Sequence, residues 1–367
     1  MVDEALQLLS KMIDKGILPD IFTYNPMIQG LCDFGRYEEV KDLLNDMGAR
    51  KISLDVYTFA ILADSFCKDG RAEEAEELLE IMKQRSISPN IVMYNALIDG
   101  YCLRGEMKKA IKIFHTAGDS GLEPDNYTYG SLINGYCKIG KVNEAWRLFL
   151  EVSRKGLENT TITYTTMIQG FFHEGRCADA WKLFNEMQAR QIFPNILTYN
   201  IMVDGLCRNK QIVEAFLVLR MMEDNGIKPD IVTYTALIQG FCNDGKLDIA
   251  RNLFNELPSK GLQPDVKTFT VIIGALCEEG MTKDANNLFM EMEQRGCLPN
   301  SVTYNVFLQG LLKTNKSYET IPIFDEMTRR GFSPDATTTS MLLDNMQGEG
   351  QDDINFDIMR KFVQKNK

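Results

Sequence analysis

Every thirty-five residues this chain carries an amide or hydroxyl side chain and, thirty positions further on, a small polar residue that accepts hydrogen bonds. The pairs are Asn25 with Asp55, Asn95 with Asp125, Thr165 with Asn195, Asn200 with Asp230, Thr235 with Asp265, Thr270 with Asn300 and Asn305 with Asp335. At two places the first member is too small to hydrogen-bond, giving Ala60 with Asn90 and Gly130 with Thr160. A carboxylate only accepts hydrogen bonds, a primary amide both donates and accepts, and a hydroxyl does either with a shorter reach. A row of such pairs tells planar ligands apart by their donor and acceptor edges. The second members, together with Asp20, are also competent helix N-caps, which is enough to account for them singly. Capping leaves the matched Asn or Thr thirty residues earlier unaccounted for. No His-x-Glu with Cys-x-x-Cys, no clustered nuclease carboxylates and no phosphate loop occurs, so the sequence reads as a binding protein and not an enzyme.

The elements that position these pairs are legible in the stretch 90–125. Tyr94, Leu97, Ile98, Tyr101 and Cys102 form the apolar stripe of one amphipathic helix; Gly105 breaks it, and Met107, Ala110, Ile111 and Phe114 form a second stripe. Gly121 and Pro124 close the hairpin. Nine complete copies run 21–55, 56–90, 91–125, 126–160, 161–195, 196–230, 231–265, 266–300 and 301–335 without an insertion. Residues 1–20 hold only the second helix of a further copy, because Met1 to Ala5 match Lys141 to Ala145. The chain therefore reads as opening mid-repeat, either a fragment of a longer protein or an engineered piece of one, so that any targeting segment could have been lost with the missing part. Residues 336–367 form a partial repeat, with a helix over 337–346, a polar GEGQDD segment and a capping helix over 354–363. An array of this kind buries a continuous core between neighbouring hairpins, and no single copy folds alone.

The fourth residue of every copy is aromatic, from Tyr24 and Phe59 to Tyr304, at a position that packs in the core. Glycines 30, 100, 135, 170, 205, 240 and 310 let the first helices approach their neighbours, and Pro322 is expected to kink or shorten the last complete second helix. Seven of the nine cysteines recur in register on the first helix and read as core; with no Cys-x-x-Cys and two isolated histidines, neither disulfides nor a metal site is expected. No apolar run reaches membrane-span length, and no cofactor or small-molecule motif appears. A net charge of −11 argues against a general nucleic-acid binder at the level of the whole chain.

The segments Ile231 to Cys242, IVTYTALIQGFC, and Gly226 to Asp230, GIKPD, closely resemble the pentatricopeptide repeat family, in its plain class built only of 35-residue copies. The Gly205-Leu206-Cys207, Gly100-Tyr101-Cys102 and Gly240-Phe241-Cys242 triplets resemble the plant restorer-of-fertility branch. The resemblance implies an organellar protein, in mitochondria in preference to chloroplasts, that binds single-stranded RNA. A peptide-binding tetratricopeptide array has a 34-residue unit and drifts about nine residues out of register over nine copies. The fold expected is an all-α, right-handed superhelical α-solenoid of helix-turn-helix repeats whose first helices line the groove. A protein-binding helical scaffold stays open as the other reading, on the acidic balance and the two odd pairs.

Along the first helix the second, fifth, ninth and thirteenth residues of each repeat share one line, read as a solvent line opposite the core stripe. Apolar second residues, Phe22, Tyr57, Val92, Tyr127, Ile162, Leu197, Val232 and Val302, would sandwich bases; Lys68, Lys138, Arg208 and Lys313 would meet phosphates; acidic residues crowd the second helices, which keeps negative charge off the groove. An Asp suits the N–H edge of uracil or guanine, and an Asn donates to the bare ring nitrogen of cytosine or adenine. In the family resembled, the fifth residue splits size classes, Asn going with pyrimidines and Thr with purines, and the N-terminal copies meet the RNA 5′ end. The four Asn–Asp pairs then select U, Thr165 with Asn195 and Thr270 with Asn300 select A, and Thr235 with Asp265 selects G. The site predicted is 5′-UnUnAUGAU-3′.

Overall fold

The computed structural model describes residues 2–314 and 317–347. Among them every regular element is helical: twenty α-helices and one short 3-10 helix. The chain divides into two compact units, Met1–Phe193 and Pro194–Lys367. The first holds α1 (Val2–Asp14) and then alternating first and second helices: α2 (Ile21–Asp33), α3 (Tyr37–Ala49), α4 (Val56–Lys68), α5 (Ala72–Gln84), α6 (Ile91–Leu103), α7 (Met107–Asp119), α8 (Asn126–Lys138), α9 (Val142–Arg154), α10 (Thr161–His173) and α11 (Cys177–Ala189). The second holds α12 (Ile196–Arg208), α13 (Ile212–Asp224), α14 (Ile231–Asn243), α15 (Leu247–Glu256), α16 (Val266–Glu278), α17 (Thr282–Gln294), α18 (Ser301–Lys313), α19 (Ser317–Arg329) and α20 (Ala336–Gln347). The fold is an all-α helical-repeat solenoid. The polar GEGQDD segment begins within residues 348–350, and both it and the helix expected over 354–363 lie outside the described residues.

Each first helix begins one residue after the repeat boundary because the closing residue caps it. Asp55, Asp125 and Asp230 accept the backbone N–H of the third helical residue, Thr58, Thr128 and Thr233, whose hydroxyl in turn meets the cap's own N–H. Each such reciprocal cap contributes roughly 1 kcal/mol. The second helices have no side-chain cap of this kind. A residue of positive φ precedes them instead, usually glycine as at Gly105, φ 73°. Lys210 takes that conformation before α13 without being glycine, and Lys51, Ser86 and Gln191 take it just after the second helices α3, α5 and α11.

The aromatic fourth residues are all buried, as their spacing requires. The Tyr129 hydroxyl donates to Glu151 Oε1 at 3.0 Å, so the ring is apolar in the core and its tip is tied to the second helix of the same repeat. The in-register glycines have a definite partner. A Cβ placed on Gly240 would stand 2.7 Å from Cys207 Sγ, and one on Gly170 2.7 Å from Cys137 Sγ; Cys67 meets Gly100 and Cys277 meets Gly310 in the same way. The cysteine of one repeat thus seats in the notch left by the glycine of the next. Burial pushes the thiols of Cys67, Cys102, Cys137, Cys207 and Cys277 up to about 12, so they serve as small core residues and not as nucleophiles. Where the following repeat has Ala275 in place of glycine, Cys242 is less buried than the others.

The shortening expected at Pro322 is corrected. It lies inside α19, which keeps the thirteen residues of its counterparts. The shortened second helix is α15, of ten residues, followed by the 3-10 turn Leu257–Lys260 that contains Pro258. A proline near the helix C-terminus removes a backbone donor where few bonds remain, so the last turn tightens; six residues into α19 the following turns hold the helix together.

Candidate nucleic-acid interface

The second residues emerge as read from sequence. Phe22 is 81% exposed, Ile162 73% and Val302 59%, and Tyr57, Val92, Tyr127, Leu197 and Val232 are each at least half exposed. Exposed apolar side chains of this size, one on each of these first helices, form the kind of surface that suits a flat apolar ligand. In the eighth repeat the position is Lys267, also exposed, which departs from the apolar plate.

The fifth residues are not where the sequence placed them. Asn25, Asn95, Thr165, Asn200, Thr235 and Asn305 are buried, as is Ala60, while Thr270 and Gly130 are half-buried. The reason is the close approach of consecutive first helices: a face solvent-exposed on one isolated helix becomes the floor between two. Asn95 Nδ2 donates to Asp125 Oδ1 at 3.2 Å and Asn200 Nδ2 to Asp230 Oδ1 at 3.1 Å; Asn25 reaches Asp55 at 3.4 Å. Both members of each pair are therefore already in contact before any ligand arrives. The hydroxyls of Thr235 and Thr270 instead bond the threonines at the third position of the following repeats, Thr268 at 2.7 Å and Thr303 at 2.8 Å. Thr165 donates to Thr161 O at 2.7 Å, and Asn195 caps α12. Asn305 differs from the other asparagines, since its Nδ2 donates to Ser301 O and its Oδ1 accepts the backbone N–H of Asp335.

Burial alone would push the carboxyls of Asp55 and Asp125 up, but the backbone and hydroxyl bonds from Thr58 and Thr128 and the amide bonds from Asn25 and Asn95 outweigh it. Both groups sit below the usual carboxylate range and present a charged acceptor. In Asp125 one oxygen, Oδ1, takes the bonds from Asn95 Nδ2, Thr128 N and Thr128 Oγ1, and Oδ2 takes none of these.

Three cavities coincide with the paired residues. One of about 450 Å³ is lined by Tyr127, Gly130, Thr160 and Ile162, the complete set for the fourth repeat. Another, of about 350 Å³, runs past Tyr57 and Ala60 of the second repeat, Val92, Asn95 and Asp125 of the third and Tyr127 of the fourth. The third, of about 730 Å³, is lined by Lys267, Thr270 and Asn300 of the eighth and Val302 of the ninth. These concavities suit flat, partly polar rings edged by a hydrogen-bonding floor.

The charge expectation also needs correction. Asp64, Asp99 and Asp204 stand at the ninth position, on the groove itself; Asp64 and Asp99 line the cavities beside Tyr57 and Tyr127. Lys68 Nζ pairs with Asp64 Oδ2 at 2.7 Å and Arg208 Nε with Asp204 Oδ2 at 2.7 Å. The spacing from ninth to thirteenth residue is i to i+4, which brings opposite charges together on a helix face. Two of the four basic residues are thus partly neutralised, while Lys138 forms no ion pair among the described residues. The threonines at the third position, to which the sequence analysis assigned no role, touch the fifth residues; their recurrence one residue before the buried aromatic was the available signal.

Among the described residues no helix is long and apolar enough to cross a membrane. A solenoid with cavities along its first helices defines the class, a helical-repeat protein. The chain belongs to the PPR repeat family, whose model matches residues 1–33, 19–68, 89–138, 131–173, 159–208, 197–243, 229–278, 268–313 and 299–346, with a further PPR repeat at 57–87. Among solved structures it is similar to the pentatricopeptide repeat protein PPR10 from maize, 21% identical with a TM-score of 0.57, covering 99% of this chain and 61% of that one. A second structure, PPR10 in complex with an 18-nt psaJ RNA element, aligns at 21% identity and TM-score 0.49, over 99% of this chain and 62% of that one. The chain spans about three-fifths of the length of these structures. No curated protein sequence matches it.

Proposed function

We propose that this protein binds single-stranded RNA, one base per repeat, and through that binding acts on organellar transcripts, in mitochondria in preference to chloroplasts, in their processing, stability or translation. The carrying observation is that the cavities on the first helices are lined by the same second, fifth and thirty-fifth residues that recur as pairs. A base enters between exposed second residues, and its pairing edge meets the fifth and closing residues. Membership of the PPR repeat family supports the reading, and so does the RNA complex of PPR10 in kind, as a property of that protein. The register assigned is 5′-UnUnAUGAU-3′ with the second and fourth places open. Asp265 is the sharpest single test, because Asp265→Asn replaces an acceptor by a donor at the base ring nitrogen. Competition binding with all four bases at the seventh place should move the preference from G to A. An unchanged preference means that Asp265 only caps α16, as its bonds to Thr268 N and Oγ1 already allow.

The protein-scaffold reading keeps one specific observation, the aspartates on the groove together with the net charge of −11. Filter binding to single-stranded RNA, duplex RNA and single-stranded DNA separates the two. Preference for single-stranded RNA favours the first; no preference favours the scaffold.

A further inference from the structure

The floor of the groove holds a third participant that the pairwise reading omits. In the sixth repeat Asn200 Nδ2 donates to Asp230 Oδ1 at 3.1 Å, and Asn200 Oδ1 accepts the hydroxyl of Thr233 at 2.5 Å. Thr128 stands in the same relation to Asn95, at 2.6 Å, and Thr58 to Asn25, at 2.8 Å. In each case the threonine is the third residue of the repeat after the one that carries the asparagine. It is buried, and so is the asparagine.

We infer that Thr58, Thr128 and Thr233 are positioning residues that fix which face of the neighbouring asparagine amide is offered to the base. This rests on the base-reading proposed above. An amide can rotate by half a turn and exchange its donor for its acceptor, so an asparagine free to do so reads ambiguously. The carboxylate of Asp230 only accepts and therefore holds Nδ2 towards itself; Oδ1 then needs a donor on its other side. The Thr233 hydroxyl has one hydrogen to give. Its distance to Asn200 Oδ1 is shorter than the 3.0 Å to Asp230 Oδ1, while the hydroxyl accepts the Asp230 backbone N–H at 3.2 Å. With both ends of the amide engaged, the second Nδ2 hydrogen remains as a fixed donor for a base carbonyl. Taking the hydroxyl away leaves a buried carbonyl without a partner, and the amide is released to turn.

Two internal contrasts support the assignment. Where the fifth residue is Ala60 and has no amide to hold, the following third residue is Met93. In the ninth repeat the arrangement is absent: Asn305 bonds Ser301 O and the Asp335 backbone, and the Thr338 hydroxyl accepts from Gln309 Nε2 at 2.9 Å. Thr163, which follows Gly130, serves its cap, donating to Thr160 O at 2.9 Å.

The experiment compares the full chain with Thr233→Val, Thr233→Ser and Thr338→Val, in competition binding against RNAs that differ only at the sixth or ninth base. Thr233→Val should flatten the U preference at the sixth place to within about threefold of the other bases, leaving the seventh place unchanged, and Thr233→Ser should restore it. Thr338→Val should leave the ninth place as it was. In an Asn200→Ala background Thr233→Val should cause no further change in base preference. A Thr233→Val chain that weakens binding to all four bases alike, or keeps its full preference for U, overturns the positioning role and leaves threonine as a capping residue. A wild-type chain with no base preference at the sixth place overturns the base-reading itself, and the positioning role with it.

Discussion

The two compact units share a repeat but use it differently. In Met1–Phe193 the complete repeats alternate: Asn25 with Asp55 and Asn95 with Asp125 form hydrogen-bonded floors, while between and after them Ala60 and Gly130 leave the floor bare beside Tyr57 and Tyr127. In Pro194–Lys367 every complete repeat has a polar fifth residue, and the plates are aliphatic at Leu197, Val232 and Val302, with Lys267 the departure. Where the floor loses its side chain, an exposed tyrosine ring stands beside it, a surface on which a base would stack in place of hydrogen bonding. Stacking is worth roughly 1–3 kcal/mol per base whatever the base, so on the proposed function the first unit would hold RNA in part without reading it and the second would read at each step.

The interlock beneath this face should give the largest effect, and it also differs between the units. Cys67 is seated against Gly100 in the first, whereas Cys242 in the second precedes Ala275 in register and is less buried. Gly100→Val puts two methyl groups and a Cβ where Cys67 already is, and should destabilise by about 3 kcal/mol. Ala275→Gly, at a site that has adapted to a Cβ, should cost only about 1 kcal/mol through helix propensity. Thermal melting of the two variants checks the order; equal losses would mean that the glycine notch does not set the repeat spacing.

A bare floor ought to be convertible. Installing the hydrogen-bonded arrangement of the third repeat in the second, by Ala60→Asn, Asn90→Asp and Met93→Thr together, should create a U preference of about tenfold at the second place, where the parent discriminates little. Ala60→Asn alone should give less, because Asn90 does not oblige the amide to face one way and Met93 gives no hydroxyl. Binding measured across the four bases decides it, and a triple variant as indifferent as the parent would erase the distinction between reading and holding repeats.

The smallest effect concerns charge. Four basic groove residues would give a slope near −3 in log K against log salt for single-stranded RNA, but Lys68 and Arg208 are paired with Asp64 and Asp204, so a slope of roughly −1.5 is expected. Asp64→Asn with Asp204→Asn should steepen the slope towards −3 and raise affinity several-fold at low salt. A wild-type slope already near −3 would show that RNA phosphates displace the aspartates.

How much of this was legible in sequence follows from which interactions are local. A 35-residue period with stripes at helical spacing specifies hairpin and aromatic core, because those depend on which face of each helix is apolar. The caps were legible for the same reason, lying within three residues of what they bind. The exposed row from Phe22 to Val302 was legible too, since nothing in its own helix covers it. Only the tertiary structure decided what lies between helices thirty residues apart. It made the line of fifth residues a buried floor, joined Asn200 to Asp230 and Thr233, and closed Cys207 onto Gly240. It also placed Asp64 against Lys68 on the groove, although that spacing was present in the sequence. A helical wheel assigns faces to one helix; two wheels brought within van der Waals reach turn an outward face into a shared interior, and their separation and rotation are set by the residues of both.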